Sequence, residues 1–141
     1  MLMVEVVCAI IVNEKNQYLA CQRASHQSNA GTWEFPGGKI DDGESQQVAL
    51  EREIAEELDC DMAIFRPLQP VTHSYPHIKI RLWPYYCRQL ASQPQALEHA
   101  QLKWLEIEQL SGLDWSAADA KIVEEVLQDG GLTPVKTEPL S

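Results

Sequence analysis

The chain has 141 residues, enough for one domain with a sizeable core, and its 45% hydrophobic content is that of a globular protein. A net charge of −10, with a pI near 4.7, argues against a nucleic-acid polymer as partner, because phosphate backbones are gripped by fields of Lys and Arg. It leaves room for a single nucleotide whose phosphates are bridged to carboxylates by a divalent cation. No stretch approaches the roughly 20 apolar residues that span a bilayer, and Glu5 precedes the apolar run 6–12 where a signal peptide carries positive charge. A cytoplasmic protein with no membrane partner is expected.

Residues 3–12 are rich in β-branched side chains and end at the polar turn 13–17, which leads into a second extended run at 18–23, so a strand, hairpin turn and strand are expected. A small, polar loop follows to residue 31, then a short apolar edge at 33–35 and the turn Pro36-Gly37-Gly38. Ser45 is placed to cap a helix reaching Leu58, with Leu50, Ile54 and Leu58 as its apolar stripe. Strands are expected near 62–66, 69–74, 77–88 and 101–107, with Pro84 marking an edge or bulge in the third of these. Ser116 is expected to cap a last helix to Gln128, stopped by Gly130-Gly131. One domain over 1–130 is expected, with 131–141 as a loose C-terminal tail. Cys8, Cys21, Cys60 and Cys87 lack CxxC spacing and form no zinc pattern with the four histidines, so they read as buried free thiols. Strands on both sides of one helix, with a second helix at the end, give an α+β domain whose mixed sheet is covered on both faces.

The helix at 46–58 carries the chemistry. At 100° per residue, Glu56 lies 60° to one side of Glu53 and Glu57 lies 40° to the other, so three carboxylates share a 100° arc. Like charges at these spacings cost a helix about 0.2–0.5 kcal/mol per pair. Arg52 offsets part of that through Glu56, and a hard divalent ion such as Mg²⁺ or Mn²⁺, which takes oxygen ligands, suits the rest. Glu44 is on the opposite side of the wheel and must reach the site from the loop or hold the loop in place.

From Gly38 to Cys60 the pattern is Gly, five residues, Glu44, seven residues, Arg52-Glu53-apolar-any-Glu56-Glu57, then two residues and an apolar side chain. It resembles the Nudix box of nucleoside diphosphate-linked-X hydrolases, with Asp59 standing where the box usually has glycine. Asp tolerates the left-handed conformation that ends such a helix. The stretches VEVVCAIIV, QRAS, WEFPGGK and LDWSAAD extend the likeness to MutT-like and CTP pyrophosphohydrolase-like members over roughly residues 3–128. The resemblance implies an α/β/α sandwich and hydrolysis of a nucleoside triphosphate to a monophosphate and pyrophosphate by metal-activated water. It implies metal ligation by the Gly37 carbonyl, Glu53, Glu56 and Glu57, with Glu98 as a further carboxylate, and catalytic candidates in Glu53, Glu44 and Arg52.

The same likeness implies substrate contacts from Arg23, from the turn Glu34, Phe35, Pro36 and Gly37, and from Asp119, which stands where MutT reads the base with an asparagine. Ser28 stands where MutT has a histidine. Ionised Asp only accepts hydrogen bonds, whereas Asn also donates, so these departures leave 8-oxo-dGTP, CTP and modified dCTP all open. Tyr75 and Trp33 are candidates to stack on the base. Hydrolysis of ADP-ribose or another nucleoside diphosphate sugar, and a noncatalytic ligand-binding module, are the competing readings. Monomer and homodimer are both compatible with the sequence.

Overall fold

The computed structural model describes residues 2–132. Eight strands, β1 (Met3–Val12), β2 (Tyr18–Gln22), β3 (Trp33–Glu34), β4 (Gly37–Lys39), β5 (Met62–Pro67), β6 (Val71–Tyr75), β7 (Ile78–Gln89) and β8 (Gln101–Leu105), join in one sheet. Two helices, α1 (Gln46–Leu58) and α2 (Ala117–Asp129), cover it.

The spine is β1. It runs parallel to β7 in unbroken register from Met3 opposite Lys79 to Val12 opposite Arg88, while β2 and β4 pair with it antiparallel. The sheet is therefore mixed, as expected. Alternation along β1 sorts its side chains between two cores: Val7, Ala9 and Ile11 pack with Leu50, Ile54 and Leu58 of α1, whereas Cys8, Ile10 and Val12 pack with Ile122, Val123 and Val126 of α2. A helix on each face buries both sides of the strand, which explains why 6–12 reads as a continuous apolar run.

Local signals account for the ends of α1. The Ser45 hydroxyl accepts from the Val48 amide at 3.1 Å, and Asp59 adopts φ 47°, ψ 48°, its N–H donating to the Ala55 carbonyl. In the β1–β2 turn, the Asn13 side chain accepts from the amides of Lys15 and Gln17.

Several details differ from the sequence reading. Pro84 does not break β7: its carbonyl faces the β5–β6 connection, accepting from the Leu68 amide at 2.9 Å, at the point where the neighbouring strand changes. The missing N–H thus costs no ladder bond. The last predicted strand stops at Leu105, and Ile107–Gly112 forms a 3₁₀ turn that buries Leu110. Ser116 stands at the start of α2 as expected, but its hydroxyl donates to Asp119 at 2.5 Å rather than capping the helix. Cys60 is half-buried, and the other three cysteines are buried. Gly131 and Leu132, assigned to a loose tail, are packed: Leu132 is 4% exposed and its amide donates to the Tyr18 hydroxyl at 3.0 Å. The rest of that segment, 133–141, lies outside the described residues.

Candidate functional site

The turn from β3 to β4 organises the site. Three successive backbone groups are committed: Phe35 N–H donates to Asp119 at 2.9 Å, the Pro36 carbonyl accepts from Ala9 N–H at 2.8 Å, and Gly37 N–H donates to Glu57 at 3.2 Å. Both glycines are needed for close approach. A Cβ on Gly37 would run into the Val7 carbonyl, and one on Gly38 into the Glu53 carboxylate.

Beneath the turn lies a cavity of about 470 Å³, within the range of small-molecule sites. Arg23, Glu34, Phe35, Gly37, Tyr75 and Asp119 from the sequence reading line it, together with Glu57 and Glu98. Glu44, Arg52, Glu53 and Glu56 stand beside it rather than lining it. Two candidates do not line it. Pro36 is buried and serves through its carbonyl, and Trp33, proposed to stack on a base, is 6% exposed within the core with Lys103 over its ring.

Arg52, midway along α1, is the hub of this side. Its guanidinium grips Glu44 with two bonds of 2.7 and 2.8 Å, donates to the Lys39 carbonyl at 3.0 Å, and reaches Glu53 at 3.1 Å and Glu56 at 3.5 Å. Glu44 also accepts from the Asp41 amide at 2.8 Å, and together Arg52 and that amide hold its carboxyl down at about 2. Of the two roles open to Glu44, its contacts are those of a loop-to-helix clamp.

The three helix carboxylates share a face, as the wheel predicts, but they do not meet. Glu57 turns to Gly37, Glu53 lies against Gly38 and Arg52, and Glu56, 55% exposed, turns to Arg52. Among the described residues, no three His, Cys, Asp or Glu side chains form a ready-made metal cage. The chemistry of the donors nonetheless fits a hard cation. Burial, reinforced by Glu34 and Glu53, pushes the Glu57 carboxyl up to about 8, and burial also raises Glu53 against the opposing pull of Arg52. Carboxyls whose ionised form lacks a compensating charge are what a divalent ion relieves, by taking the place of the proton.

At the other end, Asp119 is 7% exposed and accepts from Phe35 N–H and the Ser116 hydroxyl. Burial pushes it up to about 7, so near neutrality it exists both as an acceptor-only carboxylate and as a donating acid. Phe35 stacks on Trp115 with ring centroids 4.7 Å apart, fixing the turn from below. Glu34 is held from two sides: Arg23 reaches one carboxylate oxygen at 2.7 Å and His99 the other at 2.9 Å. Burial alone would raise the Glu34 carboxyl, but those two hydrogen bonds bring it below its ordinary value. Arg23 also donates to the Ser28 carbonyl at 2.6 Å. Sequence reasoning missed His99, because nothing in a polar segment marks one histidine as the one that turns inward.

The chain is similar to several known proteins. The model of the NUDIX domain matches residues 7–125. A CTP pyrophosphohydrolase of Escherichia coli (strain K12) is 33% identical over 88% of this chain and 91% of its own. An 8-oxo-dGTP diphosphatase of the same organism is 27% identical over 86% and 95%. The solution structure of the E. coli ORF135 protein superposes with a TM-score of 0.82 at 31% identity, covering 96% of each chain.

Proposed function

This chain belongs to the Nudix family as a MutT-like hydrolase, and from that premise we propose that it is a Mg²⁺-dependent nucleoside triphosphate pyrophosphohydrolase. The substrate is 8-oxo-dGTP, CTP or a modified dCTP, and the products are a nucleoside monophosphate and pyrophosphate. The observation that carries this reading is one cavity with two unlike ends: carboxylates raised by burial beside a glycine turn, and a buried acid poised near neutrality.

In this reading Glu53, Glu56, Glu57 and Glu98, with the Gly37 carbonyl, would hold the ion, Mg²⁺ or Mn²⁺. When bound, it supplies a water of lowered pKa and offsets charge developing on the phosphoryl oxygens. Glu53 is the candidate base, since its raised carboxyl is closer than an exposed glutamate to the pKa that proton abstraction near neutral pH favours. Arg52 and Glu44 fix the loop and hold Glu53 in place. The base enters the end walled by Asp119 and Phe35, where Tyr75 offers an aromatic face and Arg23 with Glu34 closes the side. Loss of the carboxylates would mark a noncatalytic module, and all of them are present.

The test is product analysis with 8-oxo-dGTP, dGTP, CTP, 5-methyl-dCTP and ADP-ribose, each with Mg²⁺ and with EDTA. Pyrophosphate from at least one triphosphate, abolished by EDTA, is expected. Release of nucleotide products from ADP-ribose alone would overturn the proposal in favour of a diphosphate-sugar substrate.

A further inference from the structure

We infer that His99 is a positioning residue that sets Glu98 at the mouth of the cavity by fastening the segment between β7 and β8 onto Glu34. The inference rests on the proposed role of Glu98 as a carboxylate of the reaction centre.

The segment from Leu90 to Ala100 has no regular structure, and His99 is its only buried residue, its side chain 2% exposed. Glu98 itself is exposed, yet it lines the cavity, and its charge is felt by both Glu53 and Glu57. An exposed glutamate on irregular backbone has no packing of its own to fix it, so its position depends on how its neighbours are tied down.

Three ties exist. The amides of Gln95 and Leu97 donate to the carbonyls of Leu58 and Glu57 at the end of α1, at 2.7 and 3.3 Å. The Ala100 amide donates to the Gln22 carbonyl at 2.9 Å, where β8 joins β2. Between them, His99 Nε2–H donates to Glu34 Oε2 at 2.9 Å, while Arg23 holds Glu34 Oε1 at 2.7 Å. Of the ties from residues 95–100, the His99 bond is the one made by a side chain, and it lies next to Glu98.

The other ring nitrogen points to the same role. His99 Nδ1 is buried with no hydrogen-bond partner among the described residues, a cost that an apolar side chain of similar size would avoid. What the imidazole adds over such a filler is the one directed bond to Glu34. Because Glu34 is pinned by Arg23 on its other oxygen, that bond fixes position rather than merely satisfying a polar group.

The test compares His99→Leu, His99→Gln, His99→Asn, Glu98→Gln and the double variant His99→Leu/Glu98→Gln. Steady-state hydrolysis is measured with Mg²⁺ and the best triphosphate of the panel above, and amide hydrogen exchange across 90–100 is measured on each protein in EDTA. His99→Leu should lower kcat about tenfold, as expected for displacing a working group by a fraction of an ångström, with KM changed less than about twofold. Gln, whose amide reaches as far as Nε2, should recover most of that loss, while Asn, which is shorter, should not. The double variant should be no slower than Glu98→Gln, because a residue acting through Glu98 has nothing left to position. The Gln95 and Leu97 amides should exchange faster in His99→Leu, with α1 unchanged. Losses that multiply in the double variant, an effect confined to KM, unchanged exchange across 90–100, or equal behaviour of Gln and Asn would each overturn the inference. Full activity of Glu98→Gln would instead remove the role assigned to Glu98, and the inference with it.

Discussion

Replacing Glu57 with glutamine should make the protein more stable at pH 8 in EDTA. Burial, with repulsion from Glu34 and Glu53, lifts this carboxyl from an ordinary 4.5 to about 8. Between those values the folded chain holds a proton that the unfolded chain has released, so stability falls as pH rises through that window. At about 1.4 kcal/mol per pH unit, the gap bounds the effect at ~5 kcal/mol. The carboxylate keeps the Gly37 N–H bond and faces an open cavity, so about 2 kcal/mol is the expected loss after solvent screening. Glutamine preserves the shape and the oxygen that accepts from Gly37 while removing the charge. Urea unfolding in EDTA at pH 5 and pH 8 checks this: the wild type should lose about 2 kcal/mol more than the variant between the two. Saturating Mg²⁺ should then stabilise the wild type more than the variant. A variant no more stable than wild type at pH 8 in EDTA would refute the claim that this face carries uncompensated charge.

Glu53→Gln should reduce turnover by about a hundredfold or more while the protein still unfolds cooperatively, as steady-state kinetics and a thermal melt would show. The ratio of kcat/KM for CTP over that for 8-oxo-dGTP should titrate near pH 7 through Asp119 and become flat in Asp119→Asn. An unchanged pH profile would remove Asp119 from base reading. Asp59→Gly should raise stability by about 0.5 kcal/mol in urea unfolding, because glycine meets φ 47° at the end of α1 without the Cβ penalty but loses more entropy on folding.

Short-range physics made much of this molecule legible. The i, i+4 stripe of Leu50, Ile54 and Leu58 predicted the buried face of α1, and Ser45 and Asp59 marked its two ends. The β-branched run 3–12 predicted a strand, and the structure buries it from Val7 to Val12. What stayed hidden depends on contacts distant in sequence. Nothing local says that β1 pairs in parallel with β7, some 75 residues away, or that Trp33 packs inward while Phe35 lines the cavity. The helical wheel placed three glutamates on one face but did not show that Arg52 draws Glu56 aside and Gly37 draws Glu57 inward. His99 was illegible for the same reason, since its partner Glu34 is 65 residues away.

The β3–β4 turn also acts as a ruler. Phe35 is bound to Asp119, the proposed base end, and Gly37 to Glu57, the proposed phosphate end, and Pro36 between them is anchored to β1. Two residues span at most about 7 Å of chain. Neither end of the site shifts independently of the other, so a nucleotide bound as proposed would be gauged by the distance from its base to its scissile phosphate as well as by the identity of the base. A substitution that repacks Asp119 should therefore be felt at Glu57, and selection for a new base should meet resistance from the chemistry at the far end of the same three residues.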